Sequence, residues 1–400
     1  MARGAEEGLM SRPARTISAK AGQFTESVIR EMTRVADKHD AINLAQGFPD
    51  FPAPEALKEA AVRFIRGDCN QYAVTWGAPS LRSAIAHFMA SHRGVAVDGD
   101  SQVTVCCGAT EGMIAAMMGV LDPGDEVLIP EPFYENYAPD GILTGAIPRF
   151  VPMGPGFTLD PAALRKAITP RTRGVVLNTP HNPTGRVFSD SEVAALCGLV
   201  REHDLLLFTD EIYEEILFTG PHKTPLLQEG MPERTLVVSG ASKTFSITGW
   251  RVGWVISPPE LTSGVRKVHD FLTVGAPAPL QEAVAEALHW KDGYYDQLRR
   301  DYRERREVMV RALKENGFEV EIPEGAYYMM ARAPHLQRSG EDSTAFALRM
   351  VREAGVATVP GASFYSHPGD GDGMVRFCYS KKLATLEEAG RRLAEWARRA

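Results

Sequence analysis

The sequence lacks three features that would narrow its function at once. Only five of its 400 residues are cysteines, and no two have CxxC or zinc-ligand spacing, so we expect packed thiols without a disulfide or metal site. No apolar run approaches the ~18 residues of a membrane span, and the first twenty residues lack the apolar core of a secretory signal. The net charge of −7 provides no basic excess for a nucleic acid. These features predict a cytoplasmic protein without metal, membrane or nucleic-acid partners.

The central part of the chain alternates short apolar runs with longer amphipathic stretches. Six runs are typical of buried strands: VTVC (103–106), EVLIP (126–130), GVVLN (174–178), LLLFTD (205–210), TLVVS (235–239) and VGWVI (252–256). Between most of them lie segments of helical period, such as SDSEVAALCGLVREH at 189–203. Because strand–helix alternation builds parallel sheets with helices on both faces, the pattern predicts an α/β fold.

The sequence pattern changes after about residue 290. The stretch YYDQLRRDYRERREVMVRALKENG at 294–317 predicts one long amphipathic helix that ends near Gly317. Strand-like pieces follow around Tyr327 and Val375, and Thr385 and Glu388 have the spacing of a helix capping box. We therefore expect a smaller α+β domain in this part of the chain. The predicted division is an N-terminal arm (1–30), a small domain (31–56 and 300–400) and a large domain (57–299).

Ligands of open parallel sheets bind at the carboxyl ends of the strands, so the residues that follow each strand are the candidate site. After VTVCC, the small residues Gly108, Ala109 and Thr110 open a helical stretch, which favours a phosphate at the helix N-terminus or an ordinary strand–helix turn. After EVLIP comes EPFYENY, where Tyr134 is either a ring that stacks on a planar ligand or a packed core aromatic.

The next three strand ends add an amide, a carboxylate and a lysine. NTPHNPTG holds Asn182 between two prolines, either against a ligand or in a rigid structural turn. In DEIYEEI, Asp210 ends a buried strand and requires a cationic or N–H partner, with Tyr213 close behind. SGASKTFSITGWRVGW places Lys243 where it is either a solvated charge or a nucleophilic amine.

Together these groups fit one cofactor. Pyridoxal phosphate is planar, carries a ring nitrogen, a phenolic oxygen and a phosphate, and its aldehyde forms a Schiff base with lysine. The motifs NLAQGFPDFP, NQYAVTWGAPSLR, NTPHNPTG, DEIYE, SKTFSITGWRVGW, PEGAYY and VRFCYSK stand in this order over residues 24–398. In these motifs the chain resembles the fold type I, class I/II aminotransferases that depend on pyridoxal phosphate. It is most similar to the branch of kynurenine, glutamine–phenylpyruvate and methionine aminotransferases.

The resemblance implies a three-layer α/β/α large domain with a mainly parallel seven-stranded sheet, and a small α+β domain. It implies a catalytic role for Lys243 as the cofactor attachment point and proton carrier, for Asp210 as the partner of the ring nitrogen, and for Tyr213. It also implies the remaining contacts: Asn182 and Tyr213 to the phenolic oxygen, Tyr134 stacked on the ring, and Ala109, Thr110, Ser242 and Arg251 to the phosphate. Tyr72 of one subunit would reach the phosphate of the other in a homodimer. Arg376, Gly47 and Asn182 would hold the substrate carboxylate.

The sequence departs from this family at three places. Gly240 stands where many relatives have a hydroxyl for the phosphate, so Ser242 or Ser239 is expected to replace it. Val274 and Gly275 stand where the kynurenine branch has an aromatic and a histidine, and no second arginine for a side-chain carboxylate is evident.

We therefore expect a ping-pong aminotransferase that moves the amino group of a neutral amino acid, of methionine, glutamine or aromatic type, to a 2-oxo acid. The alternatives are a C–S β-lyase, another fold type I enzyme such as an oxidase of a cationic amino acid, and a non-enzymatic regulator that senses pyridoxal phosphate.

Overall fold

The structure is a computed structural model that describes residues 17–399, so the first sixteen residues of the predicted N-terminal arm lie outside the described part. The strands are β1 (Ile42–Asn43), β2 (Val103–Cys106), β3 (Glu126–Glu131), β4 (Ile147–Pro152), β5 (Thr172–Asn178), β6 (Leu206–Asp210), β7 (Thr235–Gly240), β8 (Gly253–Ile256), β9 (Glu319–Val320), β10 (Tyr328–Arg332), β11 (Val356–Ala357), β12 (Val359–Pro360) and β13 (Met374–Cys378). The helices are α1 (Val28–Lys38), α2 (Glu55–Arg66), α3 (Pro79–Phe88), α4 (Ala109–Val120), α5 (Tyr137–Thr144), α6 (Pro161–Ala167), α7 (Asp190–Glu202), α8 (Ala241–Thr244), α9 (Pro259–Thr273), α10 (Ala278–Leu288), α11 (Asp292–Glu315), α12 (Ser343–Arg349) and α13 (Leu383–Ala397).

A seven-stranded sheet forms the centre of the molecule, in the order β2-β8-β7-β6-β5-β3-β4. The neighbouring pairs from β7 to β4 are parallel, while β8 runs antiparallel to both β7 and β2. All six predicted strands are present, and the predicted helix at 189–203 is α7, which Ser189 and Glu192 cap reciprocally. The α/β fold with a mainly parallel sheet is therefore confirmed.

Helices cover both faces of this sheet. Within β6, Phe208 packs into a core that includes Met113 of α4 and Val265 of α9. Its neighbour Leu207 packs on the opposite face into a core that includes Leu196 of α7. Because successive strand residues point to opposite faces, the apolar run of β6 reflects burial on both sides.

A second sheet, in the order β12-β13-β10-β9, is antiparallel, and β1 pairs with β11 in a separate two-stranded ladder. The core beside it combines residues from α1, α11 and α13 with Tyr213 from the loop after β6. The structure therefore packs the start of the chain against its C-terminal part, although the domain boundaries given above stay a prediction.

Two expectations for the C-terminal part have different outcomes. The predicted long helix is α11, and Gly317 follows it with a φ of +78°, as a glycine after a helix end commonly does. The capping box at Thr385 is wrong because α13 begins at Leu383, before that residue. Asp50 performs the capping instead: its carboxylate accepts hydrogen bonds from the Lys382 N–H and the Thr385 hydroxyl.

In residues 17–399, no helix combines the length and hydrophobicity that crossing a membrane requires.

A buried ion cluster anchors the segment that follows β6. Arg93 donates to Glu214 over 2.9 Å and to Glu215 over 2.5 Å, and all three side chains are at least nine-tenths buried. Arg299 of α11 pairs with the second oxygen of Glu215, and the Ser239 hydroxyl donates to Glu214. This cluster joins the turn after α3, the segment after β6, strand β7 and helix α11.

Removal of the central cation should destabilise the fold strongly. Arg93→Met leaves two buried carboxylates with fewer partners, which costs about 3–5 kcal/mol of unfolding free energy. Arg63→Met, which breaks the exposed pair with Glu286, should cost less than about 1 kcal/mol. Denaturant unfolding followed by circular dichroism compares the two variants, and equal unfolding midpoints would contradict the anchoring role.

Candidate active site

A cavity of about 250 Å³ opens at the carboxyl ends of the parallel strands. Most of the residues predicted for the site lie on its wall: Gly47, Ala109, Thr110, Tyr134, Asn182, Asp210, Tyr213, Ser242, Lys243 and Arg251. Two predicted residues, Tyr72 and Arg376, are not among those that line it. The wall also includes residues from α1 and from the loop after β1, so one cavity combines groups from distant parts of the sequence.

Lys243 lies on α8, directly after β7, and its amine sits among aromatic rings. Its Nζ is 5.9 Å from the ring centre of Tyr213 and 5.7 Å from that of Tyr327, and 3.5 Å from the Gly47 carbonyl oxygen. Burial lowers the pKa of Lys243 to about 8 because the charged form loses hydration. A larger fraction of this amine is therefore neutral near pH 7 than of an ordinary lysine.

Asp210 ends β6 and is buried, with 8% of its surface exposed. Burial raises the pKa of Asp210 to about 6, whereas hydrogen bonds from Tyr137 and Ile212 act in the opposite direction. The Tyr137 hydroxyl donates to Oδ2 over 2.8 Å and the Ile212 N–H donates to Oδ1 over 3.2 Å. These two donors hold the carboxylate in a fixed orientation toward the cavity.

The N-terminus of α4 and Arg251 form a cradle that suits an anion. Gly108 precedes α4 with a φ of +83°, and a Cβ at this position would lie 2.2 Å from Arg251 Nη2. A Cβ on Gly253 would lie 2.5 Å from the Ala109 nitrogen. Arg251 donates to the carbonyl oxygens of Thr248 and Cys107, so its guanidinium stays beside the free N–H groups of α4.

The structure explains why Gly240 replaces the usual hydroxyl residue. A Cβ on Gly240 would lie 2.8 Å from the Gly253 Cα and 3.0 Å from the Val252 carbonyl oxygen, so β7 and β8 leave no space for a serine. Of the two hydroxyls expected to replace it, Ser242 lies on the cavity wall. Ser239 instead donates to Glu214 in the buried ion cluster.

Asn182, which lines the cavity, forms a hydrogen bond with Arg376, which does not line it. The Asn182 N–H donates to Asn178 Oδ1 over 2.7 Å, and its side-chain oxygen accepts from Arg376 Nη1 over 2.8 Å. Arg376 lies on β13, is fully buried, donates to the Ala45 carbonyl oxygen and stacks 4.1 Å from the Tyr328 ring centre. Its Nε has no hydrogen-bond partner within the described residues.

Tyr72 does not line the cavity and is 87% exposed. Other exposed apolar side chains stand near it in sequence or on α9, including Trp76, Phe271 and Val274. The predicted contact of Tyr72 with a phosphate requires a second subunit, so it stays a prediction.

The residues of the wall that were not singled out from the sequence include Arg30, Glu135, Tyr137 and Asp140. Tyr137 stands in the EPFYENY motif, three residues after Tyr134. Because residues three apart on a helix share a face, this spacing could have predicted that both rings reach the cavity. Arg30 and Asp140 carry no motif of their own, because only the tertiary arrangement brings α1 and α5 to the cavity.

Comparison with known proteins agrees with this geometry. The family model described as "Aminotransferase class I and II" matches residues 39–393. The probable N-succinyldiaminopimelate aminotransferase DapC of Mycobacterium tuberculosis is 40% identical over 94% of this chain and 97% of its own length. Kynurenine–oxoglutarate transaminase 1 of Homo sapiens is 34% identical over 92% of this chain and 94% of its own.

A comparison with a solved structure also relates this chain to an aminotransferase. The Escherichia coli protein whose structure identified a methionine aminotransferase function superposes with a TM-score of 0.91 at 35% identity, over 95% of this chain and all of its own. Family match, sequence identity and fold agree over nearly the whole chain. The chain therefore belongs to the class I and II aminotransferases, which use pyridoxal phosphate to move an amino group between an amino acid and a 2-oxo acid.

Proposed function

We propose that this aminotransferase takes an α-amino acid with a neutral side chain, of methionine, glutamine or aromatic type, and passes its amino group to a 2-oxo acid by a ping-pong mechanism. The proposal rests on the chemical character of the residues that line the cavity. Besides Lys243 and Arg251, Arg30 is the sole cation on the wall among residues 17–399, and it lies at the exposed end. The nearby wall residues Ile29 and Phe48 are apolar, which suits an uncharged side chain.

Lys243 is the proposed attachment point and proton carrier. When bound, pyridoxal phosphate forms a Schiff base with a lysine amine and acts as an electron sink for the substrate α-carbon. The lowered pKa of Lys243 increases the neutral fraction of its amine, which both attacks an aldehyde and accepts a proton. Asp210, which its two hydrogen-bond donors orient, is the proposed partner of the ring nitrogen.

The remaining wall residues provide the proposed hold on the cofactor. Tyr134 would stack on the ring, and Asn182 and Tyr213 would hydrogen-bond to its phenolic oxygen. For the phosphate we assign the cradle formed by Ala109, Thr110, Ser242 and Arg251. The Gly108 and Gly253 positions support this assignment, since a Cβ at either would fill the cradle.

Arg376 is the proposed partner of the substrate carboxylate, with the Gly47 backbone beside it. Two of its guanidinium nitrogens already have protein partners, Asn182 and Ala45. A bidentate carboxylate would therefore engage the unpartnered Nε or displace one of these partners. Gly47 is confined as well, because a Cβ there would lie 1.7 Å from the Tyr328 hydroxyl oxygen.

We also propose a homodimer in which Tyr72 reaches the phosphate site of the other subunit. The strongly exposed side chains of Tyr72 and Phe271 support it, at 87% and 91% exposure, since large exposed apolar groups mark interaction surfaces.

Sedimentation at micromolar concentration measures the oligomeric state of the enzyme. We expect the mass of two chains, and a single-chain mass for active enzyme would exclude shared sites.

A second candidate substrate class is a long amino acid that ends in a carboxylate. Arg30 favours it: the side chain is exposed at the cavity, and no described residue forms an ion pair with it. The nearby Glu26 already pairs with Arg34 through two hydrogen bonds. The 40% identical relative from M. tuberculosis, a probable N-succinyldiaminopimelate aminotransferase, supports this substrate class.

The test of the function is a panel of amino acids added singly to the holoenzyme. We expect methionine, glutamine or an aromatic amino acid to remove the visible absorption of the lysine-bound cofactor without any 2-oxo acid. A 2-oxo acid added afterwards should restore it. Release of pyruvate and thiol without an acceptor would contradict the proposal in favour of the C–S lyase.

The pH dependence of cofactor attachment tests the role of Lys243. Since its pKa is about 8, the amine is mostly protonated below pH 8, and the rate of reconstitution from apoenzyme should rise through pH 8 and level off above it. Stopped-flow absorbance measures this rate. Lys243→Ala should bind the cofactor without the absorption of a lysine imine, and a variant that kept this absorption would refute the assignment.

The Arg30 subsite is tested by Arg30→Gln. Loss of a charge-assisted hydrogen bond at an exposed site should lower kcat/KM about tenfold for 2-aminoadipate, mainly through KM. The value for methionine should stay within about twofold. Lys38→Gln is the matched control, because it removes the same charge from the same helix but does not lie on the wall. Equal losses for both amino acids would exclude the subsite.

A further inference from the structure

Asp140 is a buried carboxyl group that the fold leaves without a partner. It lies in α5 on the cavity wall, with 5% of its surface exposed. Its Oδ2 has no hydrogen-bond partner within the described residues. Buried polar atoms in native proteins are almost always hydrogen-bonded, so this one requires an explanation.

The surroundings of Asp140 oppose a negative charge. Burial and the charge of Asp210 both raise the pKa of Asp140 well above its usual value. Tyr134 and Tyr137, from the same segment, have pKa values that burial raises, so neither phenol ionises near neutral pH. The helix α4 adds Met113 to this wall, which is uncharged.

Asp210 is the better placed of the two carboxyls to carry the charge. It accepts hydrogen bonds from Tyr137 and Ile212, and the positive charge of Lys243 also lowers its pKa. No cation acts comparably on Asp140. Because the charge of Asp210 raises the pKa of Asp140, Asp210 ionises first as the pH rises and Asp140 stays neutral.

We propose that Asp140 is a positioning residue on the side of the cavity where Asp210 would meet the ring nitrogen of the cofactor, and that its carboxyl group is held neutral while Asp210 carries the charge. Its O–H supplies a hydrogen-bond donor on the ring-nitrogen side of the cavity, while Asp210 alone keeps the negative charge that the ring nitrogen requires. Asp140 transfers its proton to no substrate, and the proposed role involves no covalent step. The inference rests on the pyridoxal phosphate site of the proposed function and is independent of which amino acid reacts.

The first test is infrared difference spectroscopy of wild-type holoenzyme against Asp140→Asn at pH 8. At this pH Asp210, with a pKa of about 6, is ionised and contributes no protonated carboxyl signal. We expect a carbonyl stretch of a protonated carboxylic acid that Asp140→Asn removes and that Leu143→Ala, a substitution on the same helix, leaves in place. Absence of this band from the wild-type spectrum would overturn the proposal.

The second test measures the cofactor dissociation constant from pH 6.5 to 8.5 in three variants. Asp140→Asn is neutral and keeps hydrogen-bonding capacity, so its profile should match the wild type within about threefold. Asp140→Leu removes that capacity and should weaken binding about tenfold or more. Leu143→Ala, on the exposed side of the same helix, should bind as the wild type does.

Two results of the second test would overturn the proposal. A profile of Asp140→Asn displaced along the pH axis would mean that Asp140 is ionised in the wild type. Wild-type affinity in Asp140→Leu would mean that the carboxyl has no role toward the cofactor. Both readouts remain measurable if no amino acid reacts, so failure of this inference and failure of the proposed substrate class are distinguishable.

Discussion

The site depends on the burial of ionisable side chains at the carboxyl edge of the large sheet, where they lose contact with water. The same burial lowers the pKa of Lys243 to about 8 and raises that of Asp210 to about 6, because in each case it disfavours the charged form. Burial increases the neutral fraction of the Lys243 amine, and the hydrogen bonds that Tyr137 and Ile212 donate to Asp210 favour its charged form. The reactive state of the site therefore depends on a balance between desolvation and a few fixed donors.

That balance requires a rigid carboxyl edge of the sheet, and the buried ion pairs of the segment after β6 provide this rigidity. Glu214 and Glu215 follow Asp210 closely in sequence and are held by Arg93 from a different part of the fold. Such a cluster contributes little net stability when complete, since desolvation offsets much of its attraction, but it penalises any partial arrangement. It thereby specifies where the loop bearing Asp210 and Tyr213 must lie.

The sequence predicted the central sheet and the polar wall residues at the ends of its strands because both depend on local patterns. An apolar run marks each buried strand, and the residue types after strands β2, β3, β5, β6 and β7 identified Tyr134, Asn182, Asp210 and Lys243. Strand β4, with the sequence IPRFVP, was missed because it is a half-exposed edge strand with two prolines. Arg30 and Asp140 were missed because only tertiary packing brings α1 and α5 to this edge, and Asp50 replaced the predicted capping box from a distance of more than 300 positions in the chain.

The contact between Gly240 and Gly253 has a consequence for how this chain can change. A Cβ on Gly240 would meet the backbone of Gly253 in β8, and a Cβ on Gly253 would meet the backbone of Gly108 and Ala109 at the start of α4, so neither glycine can gain a side chain. Lys243 and Arg251 lie on the connection between β7 and β8. The close backbone contacts of these glycines therefore fix the distance between the Lys243 segment and Arg251. In the proposed function, substitutions at an exposed residue such as Arg30 would change the preference for one substrate class, whereas a methyl group added at either glycine would change the distance between the proposed attachment point and the proposed phosphate cradle for every substrate.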